Sequence, residues 1–285
     1  MILDTIAESA RKRVEQRKEI CSVEQMRKRA YECLDKGMEA SAHRGDTFPA
    51  EGGRAVRLPF KEALTRPGIS FICEVKKASP SKGLIAPDFP YVDIGREYEE
   101  AGADAISVLT EPEFFLGADR YLEEIRQAVS LPLLRKDFTV DEYQIYEAKV
   151  MGASAVLLIC SLLGREQLKR YIGICRELGL SPLVEAHSDE ETSMAAEAGA
   201  DIIGINNRNL KTFEVDFTNA LRLRRLVDRG TVFVAESGIR TPEDIELLAE
   251  NQVDAVLIGE TLMRAADKKK TLAELKAKAG KRLTP

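Results

Sequence analysis

No CxxC pair, no HExxH motif and no Cys/His cluster occurs in the 285 residues, and only two histidines are present, His43 and His187. A transition-metal site is therefore not expected. The five cysteines (Cys21, Cys33, Cys73, Cys160, Cys175) are scattered and odd in number. That pattern reads as buried free thiols in a reducing cytoplasm, not as a disulfide framework. No apolar stretch approaches the roughly 18 residues that span a membrane. The opening Met1-Ile2-Leu3-Asp4 brings in an acid at once, so no secretory signal is read there. The net charge of −5, with both signs mixed along the chain, argues against nucleic acid as a partner. No GxGxxG follows the first apolar run, which disfavours a dinucleotide-binding doubly wound sheet.

Apolar residues make up 44% of the chain, enough for a full core without metals or disulfides. Residues 2–38 alternate Arg, Lys and Glu with spaced apolar positions and predict two helices, with Leu3, Ile6 and Ala10 on one face. A Gly- and Pro-marked stretch over 41–59 predicts a loop. From Ile69 a rhythm sets in. Strands are expected near 69–76, 104–109, 132–136, 155–160, 181–185, 201–206, 231–235 and 254–258, with amphipathic helices between them and two further helical stretches after 260. Ala101-Gly102-Ala103-Asp104 recurs as Ala198-Gly199-Ala200-Asp201, with a variant at Met151-Gly152-Ala153-Ser154 and a remnant at Gln252-Val253-Asp254. Each copy falls where a helix should stop and a strand begin, and a left-handed glycine is a common helix terminator.

Most of these apolar runs end in a polar or charged group: Glu74 and Lys76, Arg135-Lys136-Asp137, Glu185, Asn206, Glu236-Ser237-Gly238 and Gly259-Glu260. A buried parallel strand should be apolar throughout. Polar groups at the same end of many strands point to one shared site, and in a (β/α)8 TIM barrel that end carries the chemistry. The expected fold is α/β, such a barrel (49–285) with an N-terminal helical extension (1–48), forming one structural unit.

Strand alternation puts Glu74 and Lys76 on the same side, where they either pair as a structural ion pair or act chemically. Lys136, flanked by Arg135 and Asp137, is a candidate proton donor if cations and burial crowd it. Glu185 could complete an acid–base pair with it. His187, two residues on, reads as a cap or surface residue. Asn206 can donate and accept hydrogen bonds to substrate hydroxyls, whereas Asn207 and Asn209 fit turn chemistry. Ser237-Gly238 and Gly259-Glu260, at the seventh and eighth strand ends, suggest a phosphate site. Arg135, Asp137 and Glu236 receive no assigned role.

In this order the segments Glu74-Val75-Lys76-Lys77-Ala78-Ser79-Pro80-Ser81-Lys82-Gly83, Ser107-Val108-Leu109-Thr110-Glu111, Phe114-Phe115-Leu116-Gly117, Leu134-Arg135-Lys136-Asp137-Phe138, Leu183-Val184-Glu185, Gly204-Ile205-Asn206-Asn207-Arg208-Asn209-Leu210, Ala235-Glu236-Ser237-Gly238-Ile239 and Leu257-Ile258-Gly259-Glu260 resemble the indole-3-glycerol phosphate synthase family, over essentially the whole chain. The resemblance implies a carbon–carbon lyase of tryptophan biosynthesis. Its substrate would be 1-(2-carboxyphenylamino)-1-deoxyribulose 5-phosphate, and its products indole-3-glycerol phosphate, carbon dioxide and water. No cofactor and no metal are implied.

Carried over by residue, Lys136 resembles the general acid and Lys76 the lysine that engages the anthranilate carboxylate or donates a proton. Glu185 resembles the base or a stabiliser of positive charge. Glu74 resembles a hydrogen-bonding partner and base in dehydration, and Asn206 a group that orients the substrate. Ser79, Ser237, Gly238, Gly259 and the Glu260 N–H resemble a phosphate cradle, with Arg208 nearby. Phe115, Phe138 and Leu210 would flank the aromatic ring. Glu260 stands where some relatives have serine, so its carboxylate is expected to turn away from the phosphate. The N-terminal helices are expected to cover the barrel mouth as a partial lid.

A phosphosugar isomerase of the same pathway would be expected to use a Cys and Asp pair at strand ends, and the first strand offers Glu74 and Lys76 instead. A non-catalytic phosphate-ligand sensor need not keep an acid–base set. The expected partner is a small phosphorylated substrate, with no nucleic acid and no membrane. The protein is expected to be cytoplasmic, and a monomer or weak homo-oligomer.

Overall fold

The computed structural model describes residues 2–42, 56–209 and 212–279. The chain opens with helices α1 (Ile2–Ile20) and α2 (Val23–Ala42), followed by the short α3 (Pro59–Leu64). Strand β1 (Ser70–Val75) leads into a small hairpin, β2 (Ala78–Ser79) and β3 (Gly83–Leu84). Strands and helices then alternate: α4 (Tyr91–Glu100), β4 (Ala105–Leu109), α5 (Asp119–Ala128), β5 (Leu133–Lys136), α6 (Glu142–Val150), β6 (Ala155–Ile159), α7 (Arg165–Glu177), β7 (Ser181–Ala186), α8 (Asp189–Glu197), β8 (Ile202–Asn206), α9 (Thr218–Leu223), β9 (Val232–Glu236), α10 (Pro242–Glu250) and β10 (Ala255–Ile258). The helices α11 (Glu260–Arg264) and α12 (Lys268–Lys276) follow.

Eight parallel strands close in the order β1-β10-β9-β8-β7-β6-β5-β4. This is the expected (β/α)8 barrel, with the two N-terminal helices added. The predicted strands agree with the observed ones to within a residue or two. Helix α3 was not foreseen, since six residues are too few to show a helical period. Of the loop expected over 41–59, Ser41 and Ala42 belong to α2 and Pro59 opens α3, while 43–55 and the expected boundary at 48–49 lie outside the described residues.

Strand alternation divides the core in two. Ile72, Leu134, Leu157, Leu183, Ile202, Val234 and Leu257 pack together inside the barrel, joined by Phe60 and Leu64 of α3. Phe71, Val75, Val108, Leu158, Ile203, Phe233 and Val256 point the other way, onto the apolar faces of the helices. Helix α3 stoppers the N-terminal end. The Lys61 N–H donates to Ser181 Oγ, and Ser70 Oγ donates to the Ala63 carbonyl, both at strand starts.

The repeat before the strands behaves as read. Gly102, Gly152, Gly199 and Gln252 all have positive φ, of 81°, 85°, 82° and 59°. The acid that ends the repeat fastens this same end of the barrel: Asp104 accepts from the Phe71 N–H and Asp254 from the Phe233 N–H. Among the described cysteines none is in a disulfide; four are buried and Cys33 is half-buried. Among the described residues no helix is long and apolar enough to cross a membrane.

Candidate active site

At the C-terminal end of the barrel the inward strand positions change from apolar to charged. A cavity of about 420 Å³ opens there, lined among others by Glu74, Lys76, Lys136, Glu185, Asn206 and Glu236. The Lys76 Nζ lies 2.6 Å from Glu74 Oε1, so the two same-side residues of the first strand do form an ion pair. Ser107, opposite Glu74 in the register, donates to its other oxygen at 3.4 Å. Burial alone would raise the Glu74 carboxyl, but Lys76 and then Lys136 outweigh it and hold it below the ordinary carboxylate range.

Lys136 stands across the cavity, 3.5 Å from Glu236 Oε2 and 3.6 Å from Glu185 Oε2. The sequence reading placed it among cations, and the structure corrects this. Parity turns Arg135 outward, where it meets Glu147 at 2.8 Å, Asp119 at 3.1 Å and Asp137 at 3.6 Å. Lys136 is instead enclosed by carboxylates. Burial would lower its affinity for the proton, but Glu236, Glu185 and Glu74 more than reverse this, and the ammonium titrates above the ordinary lysine range.

Glu236, to which the sequence assigns no role, stands in the carboxylate cluster around Lys136. Val232, Val234 and Glu236 share strand parity, and Glu236 sits opposite Asn206 in the β8–β9 register, so alternation alone could have found it. Its Oε1 is buried with no hydrogen-bond partner. Burial, with lesser contributions from Glu185 and Glu74 and against the pull of Lys136, pushes its carboxyl up to about 8. Two glycines make room for this cluster. A Cβ on Gly204 would meet Glu236 Oε1 at 2.3 Å, and one on Gly259 would meet Glu74 Oε1 at 2.3 Å and Lys76 Nζ at 2.7 Å. The missing side chain of Gly259, expected at the phosphate, also leaves space for the Glu74–Lys76 pair.

Asn206 Nδ2 donates to Glu185 Oε1 at 3.4 Å, and its Oδ1 accepts from the Arg208 N–H at 3.0 Å. Asn207 is structural, bonding the Ser237 carbonyl and the Ala220 N–H. Ser79, Arg208, Ser237, Gly238, Gly259 and Glu260 gather along one side of the cavity. Ser237 and Gly238 are consecutive residues of positive φ, 67° and 86°, and turn the chain sharply after β9. The Glu260 carboxylate lies 3.2 Å from Arg264, 3.7 Å from Lys82 and 3.9 Å from Arg208. Phe115 and Phe138 also line the cavity, their ring centroids 6.0 Å apart. Leu210 lies outside the described residues.

Helix α1 also reaches the site: Ile2, Leu3 and Ile6 line the cavity. Its next turns carry Arg13, paired with Glu111 at 3.0 Å and Asp137 at 3.1 Å, and Arg17, paired with Asp119 and Glu147. The acidic partners come from the loops and helices after β4 and β5, a fit invisible in one dimension.

The chain is matched by the profile of the indole-3-glycerol phosphate synthase family over residues 50–275. It is 53% identical to an indole-3-glycerol phosphate synthase of Ruminiclostridium cellulolyticum, covering 98% of this chain and 100% of that one. It is 51% identical to one of Lachnoclostridium phytofermentans, over 97% and 99%. The chain belongs to the indole-3-glycerol phosphate synthase family. It is a carboxy-lyase of tryptophan biosynthesis and takes a phosphorylated small-molecule substrate. Solved structures that resemble this synthase fold include a 3-hexulose-6-phosphate synthase of Salmonella typhimurium (TM-score 0.61, 14% identity, 74% of this chain and 98% of that one) and a thiamine phosphate pyrophosphorylase of Pyrococcus furiosus (TM-score 0.57, 18% identity, 77% and 96%). At such identities they speak for the barrel alone.

Proposed function

We propose that the cavity closes the indole ring of 1-(2-carboxyphenylamino)-1-deoxyribulose 5-phosphate, with Lys136 as the general acid. The observation that carries this is the position of its ammonium, about midway between Glu185 and Glu236 in a buried mouth. In the reaction the aromatic carbon bearing the carboxylate attacks the ribulose carbonyl carbon, and the carbonyl oxygen gains negative charge. A fixed ammonium stabilises that charge and gives up its proton as the alkoxide forms. The carboxylates hold the proton on Lys136 until then, so the enzyme meets its substrate in the charged form.

Attack breaks the aromaticity of the ring and leaves a cation, which Glu185 stabilises. Departure of carbon dioxide returns an electron pair to the ring. Loss of the new hydroxyl as water then completes the indole, with Lys76 as donor and Glu74 as the base that takes the last proton. Asn206 orients the ribulose hydroxyls and keeps Glu185 aligned. Glu236, whose carboxyl titrates at about 8, is a second partner of Lys136. Ser79, Ser237, Gly238, Gly259 and the Glu260 N–H receive the phosphate, supported by Arg208, and Phe115 and Phe138 receive the anthranilate ring.

The N-terminal extension, through α1, serves as a partial lid on the barrel; Ile2, Leu3 and Ile6 at the cavity support this. We take the enzyme to work in the cytoplasm as a monomer or weak homo-oligomer, without nucleic acid. The test is direct: purified protein incubated with the carboxyphenylamino substrate should form indole-3-glycerol phosphate and release carbon dioxide. Absence of product at high enzyme concentration would overturn the assignment.

A further inference from the structure

His187 follows β7 directly and has the strand parity of Glu185, so its ring turns toward the same carboxylate cluster. Only 18% of its side chain is exposed, and Nε2 is buried with no hydrogen-bond partner. That nitrogen lies 3.4 Å from Glu185 Oε1. The other ring nitrogen, Nδ1, lies 3.2 Å from Glu191 Oε2, which also accepts the His187 backbone N–H at 2.8 Å. Glu191 is itself fixed, since its N–H donates to Ser188 at the N-cap of α8. Asn219 of α9 donates to the His187 carbonyl. The backbone, one ring nitrogen and the next helix therefore all fix the imidazole, leaving the second nitrogen within ion-pair distance of Glu185.

We propose that His187 is a positioning residue for the synthase reaction: its imidazole clamps Glu185 Oε1 from behind, so that Oε2 faces Lys136, and ties the carboxylate to Glu191 at the outer surface. This rests on Glu185 acting in the cavity as described above. The groups that face the ring are Glu185 on its own strand, Glu191 from α8 and Glu236 from β9. The Cys160 thiol, after β6, donates to the Glu191 backbone carbonyl and stays neutral, its titration pushed up to about 12 by burial. Burial disfavours the imidazolium, but Glu191 and Glu185 outweigh it and hold the ring above the ordinary histidine value. The clamp is therefore strongest as the charged imidazolium, and it weakens as pH rises through the titration of this ring. Asn206 donates to the same Oε1 and Lys136 faces Oε2, so both oxygens of the carboxylate are engaged.

The pH profile of kcat separates this role from a structural one. In the parent, kcat should step down as pH rises through the His187 titration. His187→Gln keeps a donor without a titration, and should retain most of kcat while losing that step. His187→Ala should lose roughly tenfold in kcat, the order expected when a close buried charge beside Glu185 is removed, with little change in KM. Glu191→Gln lies at the surface end of the clamp and should move the step to lower pH. With only two histidines in the chain, the ring titration can also be followed by proton NMR without any turnover. It should fall in Glu185→Gln relative to the parent. Profiles of His187→Gln and Glu191→Gln that superimpose on the parent would overturn the clamp, as would an unmoved NMR titration. If Glu185→Gln itself kept full activity, the role given to Glu185 would fail instead, and the two failures are thus distinct.

Discussion

The two ends of this barrel are made by the same eight strands but answer to different physics. At the N-terminal end, Phe60 and Leu64 fill the opening and meet Ile202 and Val232 on an apolar floor. The edge there is sewn by Asp104 and Asp254 and by the left-handed turns before β4, β6, β8 and β10. At the C-terminal end the same inward column carries Glu74, Glu185, Glu236, Lys136 and Lys76 around a cavity. Burying charges this way costs free energy unless the partners compensate, and the unpartnered oxygen of Glu236 shows that compensation is incomplete. One end holds the fold together, whereas the other gives up some stability to hold charged groups close together around a cavity.

Substitutions at either end should therefore part company in what they damage. Lys136→Ala should reduce kcat/KM by about 10²–10⁴, the usual contribution of a positioned general acid, while circular dichroism still reports a folded barrel. Near-normal turnover would remove Lys136 from its role. At the opposite end Phe60→Ala should lower unfolding free energy by about 3–5 kcal/mol, as for other fully buried aromatics. Denaturant titration checks this, and kcat below the transition should stay close to the parent's.

Glu236 offers an intermediate case. Its folded carboxyl titrates near 8, above the ordinary value, because burial and like charges outweigh Lys136. A group raised on folding stabilises fully below its unfolded value of about 4.3, and that contribution is lost as pH rises through its folded value. Glu236→Gln should accordingly have a higher Tm than the parent at pH 9 and a smaller difference at pH 5. The expected scale is roughly 2–4 °C for each kcal/mol relieved. Equal Tm values at both pH values would show that the mouth is not strained in this way. The smallest effect is expected at Gln252, a non-glycine residue at φ 59° in the position where its sister repeats carry glycine. Gln252→Gly should stabilise the fold by at most about 1 kcal/mol, the cost of a left-handed residue less the entropy that glycine adds.

Much of this was readable in one dimension, because short-range rules govern it. Period-two alternation put Glu74 beside Lys76 and could have placed Glu236 with Asn206. The Ala-Gly-Ala-Asp repeat marked helix ends by a backbone conformation that glycine adopts cheaply. What escaped depended on partners distant in sequence. Lys136 looked crowded by Arg135 until the helices after β4 and β5 supplied Asp119 and Glu147 on the outside. His187 looked like a surface cap until Glu191 and Glu185 closed around its ring. Helix α3 was too short for a period to register, and its weight comes from where Phe60 and Leu64 are buried.

By itself, the order of residues determined the barrel, the end of it that carries chemistry and the reaction that its motifs resemble, because strand parity and turn conformation are local properties. The proton affinities of Lys136 and Glu236, the surroundings of Glu185 and the pairing of Arg13 and Arg17 of α1 with acids after β4 and β5 were decided only by the tertiary structure. These depend on distances of a few ångströms between groups far apart in the chain, and on how much water is left between them.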